Sequence, residues 1–336
     1  MIENSITNLP EDSSPVSDSP ASFDLRPKSF DSYIGQPKVT KQLKIMIGAA
    51  NKKSAPLDHV LLHGPPGLGK TSLANVIALS TGSNFIVTSG QALTKVGDLA
   101  AILSNLKPFD ILFIDEIHRL KMDIQEMLYT AMEDFAIDII IGTGPSARTM
   151  RLELAKFTLV GATTKLNKIS RPMRDRFGAL MPLEFYSEQE LETILELSSK
   201  NLNFIPDSNV LKKIAGHSRG TPRIANNFLK RFHDYILHHN IDKPSTSDLD
   251  IVFDLLGVQI MGLNELDLNL LRAIKTNFNG GPVGLKTLSA SLSEDPDHIE
   301  NISEPYLIKL GFLNRSNRGR VLTSKGDLII KDVLNL

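Results

Sequence analysis

Lys70 is the seventh residue of the run Gly64-Pro65-Pro66-Gly67-Leu68-Gly69-Lys70-Thr71, which fits the pattern G-x-x-x-x-G-K-S/T. Glycines at these positions let successive backbone N–H groups curl around a phosphate at the positive end of the following helix. Lys70 then reaches the β- and γ-phosphates of a nucleotide, and the Thr71 hydroxyl binds Mg²⁺. A second run, Ile111-Leu112-Phe113-Ile114-Asp115-Glu116, is an apolar strand ending in two carboxylates. Asp115 is placed to hold Mg²⁺ through its water shell, and Glu116 to polarise an attacking water as general base. An acidic residue after a strand is often only a helix cap. Beside a phosphate loop, the pair reads as the chemistry of ATP hydrolysis.

Three further groups could serve the same reaction. Gly161-Ala162-Thr163-Thr164 ends another apolar run with two hydroxyls, of which Thr164 is taken as the one that orients the water or γ-phosphate. Arg171, Arg174 and Arg176 crowd into eight residues. That crowding is either a solvated face or a charge delivered to the γ-phosphate of a neighbouring subunit, a device that contributes ~10³–10⁵ in rate. Arg223 follows Gly220-Thr221-Pro222 at a predicted helix start, where Pro also initiates helices.

These groups need elements to hold them. A helix is expected over 36–53, with Leu43, Ile47 and Ala50 along one face. Strands are expected at 59–63, 84–88, 110–115, 157–163 and 180–185, with helices such as 70–80 and 122–133 between them. Alternation of this kind predicts an α/β unit with a parallel, doubly wound sheet and its ligand at the strands' carboxyl ends. The runs 137–141 and 148–154 flank Gly142-Thr143-Gly144-Pro145 and read as an inserted β-hairpin. Helices at 188–200, 208–217, 222–238 and 247–256 form a small all-α domain. Helices at 264–277, 285–291 and 297–310, then a hairpin through 312–323, predict a winged helix. The expected domains are a disordered tail at 1–21, a large ATPase domain at 22–182, the helical domain at 183–257 and the winged helix at 258–336.

Composition sets the class. The chain of 336 residues is 41% hydrophobic and 22% charged, ordinary for a globular protein. No apolar run approaches the ~20 residues of a membrane span. No basic region followed by an apolar stretch opens the sequence, so a secretory leader is not expected, and the sequence has no cysteine, which fits a cytoplasmic location. Residues 1–24 hold six serines, three prolines, five acids and no Lys or Arg, too polar to offset the entropy of ordering. The net charge of −1 requires any nucleic-acid contact to come from a local patch. From Leu263 onward nine basic residues balance nine acidic ones, yet residues 305–326 hold Lys309, Arg315, Arg318, Arg320 and Lys325 with no acid. Arg315-Ser316-Asn317-Arg318-Gly319-Arg320 is the predicted wing tip; its charge alone fits a solvated hairpin as well as arginines and a Gly turn that meet a phosphate backbone without reading bases.

In order and spacing, Gly64–Thr71, Asp115-Glu116, Thr163-Thr164, Arg176 and Arg223 resemble the Walker A, Walker B, sensor 1, arginine-finger and sensor 2 motifs of the AAA+ ATPases. Further runs narrow the resemblance, among them Thr88-Ser89-Gly90, Gly97-Asp98-Leu99-Ala100, Ala131-Met132-Glu133-Asp134-Phe135, Leu183-Glu184-Phe185-Tyr186 and Glu304-Pro305-Tyr306-Leu307-Ile308. They are similar to the RuvB family, bacterial motors of Holliday-junction branch migration, over residues 22–325. The resemblance implies an AAA+ large domain, a helical lid and a DNA-binding winged helix in a hexameric ring. It further implies work in recombination, DNA repair and the SOS response to DNA damage, with ATP and Mg²⁺. RuvA would dock on the 137–154 hairpin, with Ile139, Ile140 and Ile141 as an exposed apolar surface, and the resolvase RuvC would join the complex. Leu25 and Arg26 would touch the adenine end, and Gly67, Gly69, Lys70, Thr71 and Ser72 the phosphates. Glu133, Asp134 and Phe135 would lie at the nucleotide or subunit boundary, and Tyr186 and Arg223 on the lid side. Arg176, or its neighbour Arg174, would be the trans-acting finger. The ATPase core equally permits a clamp-loader-like or initiator-like switch; the hairpin and the wing favour the motor. A non-hydrolysing scaffold is opposed by Glu116.

Overall fold

The computed structural model describes residues 25–141 and 148–334. The Ser/Pro-rich segment at 1–21 and the turn Gly142-Thr143-Gly144-Pro145 lie outside the described residues. Helix α1 (Pro37–Lys53) starts on a proline and buries Val39, Leu43, Ile47 and Ala50 as one stripe. Then follow β1 (Val60–His63), α2 (Lys70–Thr81), β2 (Phe85–Ser89), α3 (Val96–Ser104), β3 (Ile111–Asp115) and α4 (Met122–Asp134). Helix α3, absent from the sequence expectations, begins where the Asp98 carboxylate accepts from the Thr94 and Lys95 N–H groups.

The hairpin β4 (Ala136–Ile141) and β5 (Arg148–Glu153) interrupts the alternation, which resumes with β6 (Thr158–Thr163), the short α5 (Arg171–Asp175) and β7 (Ala179–Pro182). Five parallel strands form one sheet in the order β2-β3-β6-β1-β7. Side chains of a strand alternate between faces. Val60, Leu62, Ile111, Phe113, Val160 and Ala162 therefore enter one core with α1 and α2, whereas Leu61, Leu112, Ile114 and Leu159 enter a second with Leu99, Leu103, Ile124 and Leu128. Continuous apolar runs are what strands covered on both faces require.

Two expectations are corrected here. The last strand ends at Pro182 instead of continuing to 185, because the backbone beyond it is captured elsewhere. Glu184 exchanges backbone hydrogen bonds with the Gln36 amide (2.7 and 3.0 Å), and the Tyr186 N–H donates to the Gly220 carbonyl (2.9 Å). In the hairpin, Ile137 is fully buried and Ile139 packs half-buried on the second core, so Ile139 is not the exposed surface expected; the Ile140 and Ile141 side chains lie outside the described residues.

Helices α6 (Glu188–Asn201), α7 (Ser208–His217), α8 (Pro222–His239) and α9 (Thr246–Leu255) make the lid. Their buried Leu191, Leu195, Ile214, Phe228, Phe232 and Phe253 continue the first core of the ATPase domain. The winged helix has its own core, built on α10 (Glu265–Thr276) and α11 (Leu285–Leu292). The helix expected over 297–310 runs unbroken as α12 (Pro296–His298), a π-helical turn (Ile299–Ser303) and α13 (Glu304–Lys309). The wing strands β8 (Leu313–Ser316) and β9 (Gly319–Leu322) pair antiparallel, Val283 adds a bridge to Arg320, and α14 (Ser324–Leu334) closes the unit.

Candidate nucleotide site and nucleic-acid interface

The phosphate loop is held by groups that leave glycine no substitute at Gly64. Its N–H donates to the Thr163 carbonyl (3.2 Å), its φ is +146°, and a Cβ there would stand 2.5 Å from the Leu183 carbonyl oxygen. Gly67 and Gly69 also take positive φ, and α2 begins on Gly69 without a side-chain cap. The first N–H groups of α2 are thus left for an anion. Lys70 is buried and donates to the carbonyls of Gly64 and Pro65 (both 2.9 Å). Burial lowers its pKa, while the negative charges of Asp115 and Glu116 pull it back up.

Across from the loop, β3 delivers its two carboxylates. Burial raises the Asp115 pKa, opposed by the Glu116 N–H, which donates to Asp115 Oδ1 (2.9 Å). A carboxylate desolvated in this way gains from a cation beside it. Asp115 and the Thr71 hydroxyl are hard oxygen donors of the kind Mg²⁺ accepts in small numbers, keeping water for its other positions. The described residues contain no cluster of three or more His, Asp or Glu suited to a fully protein-bound metal. Glu116 adopts a left-handed backbone (φ +47°) and its Oε2 accepts from Thr164 Oγ1 (3.3 Å). The two threonines are thereby separated: Thr164 meets the carboxylate, whereas fully buried Thr163 is engaged by His118 and by the Lys165 N–H.

The lid contributes from the other side. The Arg223 N–H donates to the Gly67 carbonyl (3.4 Å), and its side chain is exposed at the start of α8. The Tyr186 hydroxyl donates to the Leu68 carbonyl (3.3 Å) and accepts from the Tyr33 hydroxyl (3.2 Å). Burial raises the pKa of both phenols, so both stay neutral donors. Tyr33 has no motif around it and was missed; only the fold brings it to the loop. His118 was missed too, although its place three residues after Asp115 signals it. Leu25 and Arg26 are half-buried at the start of the described chain.

A second cluster gathers the remaining candidates. Arg176 Nη2 lies 2.9 Å from Glu133 Oε2, its Nη1 donates to the Pro172 carbonyl, and its guanidinium covers the Tyr129 ring. Asp134 pairs with Arg151 of the hairpin (2.8 Å). Phe135 is a packing residue, edge-on to Phe157 and beside the His59 ring, not a polar ligand. Arg174 and Arg176 each keep a buried Nε with no hydrogen-bond partner among the described residues.

At the wing, one expectation is overturned. Arg320 is buried, with its Nε bonded to Glu304 Oε1 and its Nη2 3.1 Å from Glu304 Oε2, so its charge is met inside the domain rather than offered to DNA. Two lysines of the stretch remain exposed and keep their charge while bonding to carbonyls. Lys309 donates to the Tyr186 carbonyl and Lys325 to the Leu310 carbonyl. Arg315 is half exposed beside Glu300 (2.8 Å), and Arg318 is exposed at the tip.

Family models match the chain in three consecutive blocks. They are the Holliday junction DNA helicase RuvB P-loop domain over residues 25–183, the RuvB AAA lid domain over 186–258 and the RuvB C-terminal winged helix domain over 260–331. The Holliday junction branch migration complex subunit RuvB of Fusobacterium nucleatum subsp. nucleatum is 52% identical over 304 residues, 90% of this chain and 91% of that protein. Its counterpart from Orientia tsutsugamushi is 50% identical over 300 residues, 89% of this chain and 92% of that one. Among solved structures, the Thermotoga maritima RuvB Holliday junction branch migration motor matches with a TM-score of 0.83 at 42% identity, over 92% of this chain and 98% of that one. Identity near one half along nine-tenths of the length, with all three domains in order, means that this chain belongs to the RuvB family.

Proposed function

We propose that this chain is the ATP-driven motor of Holliday-junction branch migration. The observation that carries the reading is that Lys70 of the phosphate loop feels the charges of Asp115 and Glu116, and Thr164 bonds to Glu116, in a chain that also bears a winged helix. Lys70 and the N–H groups at the start of α2 bind the phosphates, and Glu116 accepts a proton from the water that attacks the γ-phosphorus. The bond to the leaving ADP oxygen breaks as the new P–O bond forms. Thr71 and Asp115 would hold Mg²⁺, which when bound neutralises charge on the phosphate oxygens.

Six copies would form a ring, with Arg176 reaching the nucleotide of the next subunit. The two orphaned guanidinium Nε atoms support this, because a buried donor without a partner costs about 1–3 kcal/mol and a neighbouring chain could satisfy it. Leu25 and Arg26 would bound the adenine. The β4–β5 hairpin would dock RuvA, RuvC would act in the same complex, and Arg315 and Arg318 would contact the junction arms.

The motor is distinguished from an ATP-controlled assembly switch by a synthetic four-way junction incubated with the chain, RuvA and either ATP or a non-hydrolysable analogue. Migration with ATP alone is expected. Equal product with the analogue would assign the chain to the switch class.

A further inference from the structure

Between the Glu116 carboxylate and the wing runs a chain of polar contacts that the hydrolytic step alone does not need. His118 is almost wholly enclosed, with a side chain 4% exposed. Its Nδ1 lies 2.9 Å from Thr163 Oγ1, and its Nε2 lies 3.4 Å from Glu116 Oε2. The Thr163 oxygen already accepts from the Lys165 N–H (2.9 Å), so its proton is available to His118 Nδ1. Beside an acceptor-only carboxylate, the imidazole proton belongs on Nε2. Burial, then the nearby cations Lys165, Arg119 and Lys168, push the His118 pKa down to about 4, so the ring is neutral at ordinary pH.

Lys165 extends the chain into another domain. Its ammonium, on a side chain 9% exposed, lies 2.8 Å from Asp297 Oδ2 in α12. The same helical segment carries Glu300, which pairs with Arg315 of the wing, and Glu304, which pairs with Arg320. One helical segment thus joins the wing to Asp297, which meets Lys165, whose N–H holds the threonine beside His118.

We propose that His118 is the positioning residue of the Glu116 carboxylate, and that the winged-helix domain sets it through Asp297 and Lys165. The proposal rests on Glu116 being the general base.

The full chain is assayed for ATP hydrolysis with and without duplex DNA, and for affinity towards a fluorescent ATP analogue. His118→Ala is expected to lower kcat about 10- to 100-fold, the cost of a misplaced catalytic group, with analogue affinity within about twofold of the parent. His118→Gln keeps a donor and an acceptor and is expected to restore most of kcat. Asp297→Asn is expected to lower the DNA-stimulated kcat about threefold or more in the parent chain and to change nothing in the His118→Ala background. Selective ¹⁵N spectra of the nucleotide-free chain at pH 7 are expected to show the Nε2–H tautomer of His118. Parental kcat in His118→Ala, additive effects of the two substitutions, or an Nδ1–H or doubly protonated ring would each overturn the proposal. Glu116→Gln runs as the control: if it still hydrolyses ATP, the assignment of the base fails, and if it is dead while both His118 variants are normal, only the present inference fails.

Discussion

Arg320 and Arg318 sit two residues apart, and burial gives them opposite work. Arg320 neutralises Glu304, whose carboxylate is itself 1% exposed. Removing one partner of a buried pair leaves the other charge uncompensated, at about 3–5 kcal/mol. Arg320→Ala is therefore expected to lower the melting temperature of the chain sharply. Arg318→Ala is expected to leave melting unchanged, to weaken duplex binding equally across sequences, and to reduce the salt slope of that binding by about 1. Thermal melts and salt titrations of the two variants check the contrast. His118 offers a second residue-scale outcome. Its folded pKa of about 4 lies below the ordinary 6.5, so between those values the unfolded chain binds a proton that the folded chain refuses. Stability then falls as pH drops from about 6.5 to about 4 and is unaffected by this group above that window. His118→Gln should flatten that part of a pH–stability curve; an unchanged curve would show that the ring titrates normally in the fold.

The elements explain why the phosphate loop was legible in the sequence while much of its surroundings was not. A phosphate-binding loop needs glycines, a lysine and a hydroxyl within eight consecutive residues, so its chemistry is local and written in order. The same holds for β3, whose apolar run and terminal Asp115-Glu116 announce a buried strand with a functional tip. Tyr33, by contrast, reaches Tyr186 across 153 positions, and no local pattern encodes that contact. The wing failed for the complementary reason. Counting acids between 305 and 326 could not reveal that Glu300 and Glu304, just outside the count, turn toward Arg315 and Arg320. At this scale Arg219 is the informative test. It precedes Gly220 in the lid, pairs with fully buried Asp267 of α10 (2.7 Å), donates to the Ile302 carbonyl and covers the Tyr306 ring. Arg219→Ala strands a buried carboxylate, and is expected to loosen the winged helix from the lid. Limited proteolysis between α9 and α10, near residues 257–263, should accelerate several-fold; unchanged cleavage would show that the domains are held by other contacts.

As a whole molecule, the chain places nucleotide sensing and DNA binding within reach of each other at two points. Asp297 meets Lys165 beside Thr163 and Thr164, while Asp267 and Lys309 meet the lid beside Gly220 and Arg223. A motor needs such joints, because the free energy of hydrolysis must appear as a change in how the DNA domain is held. Within the chain itself, Arg176 is paired with Glu133, a contact it would have to leave in order to reach a neighbouring nucleotide. The most direct test of this account measures nucleotide binding and migration of a four-way junction, with RuvA and ATP, for Glu116→Gln and Arg176→Ala chains separately and mixed. Each alone is expected to bind ATP and leave the junction unmoved, with hydrolysis reduced about 10²-fold or more. Mixing them should restore part of the hydrolysis, because some sites then pair an intact Glu116 with an intact Arg176. Continued migration by Glu116→Gln alone would contradict the account.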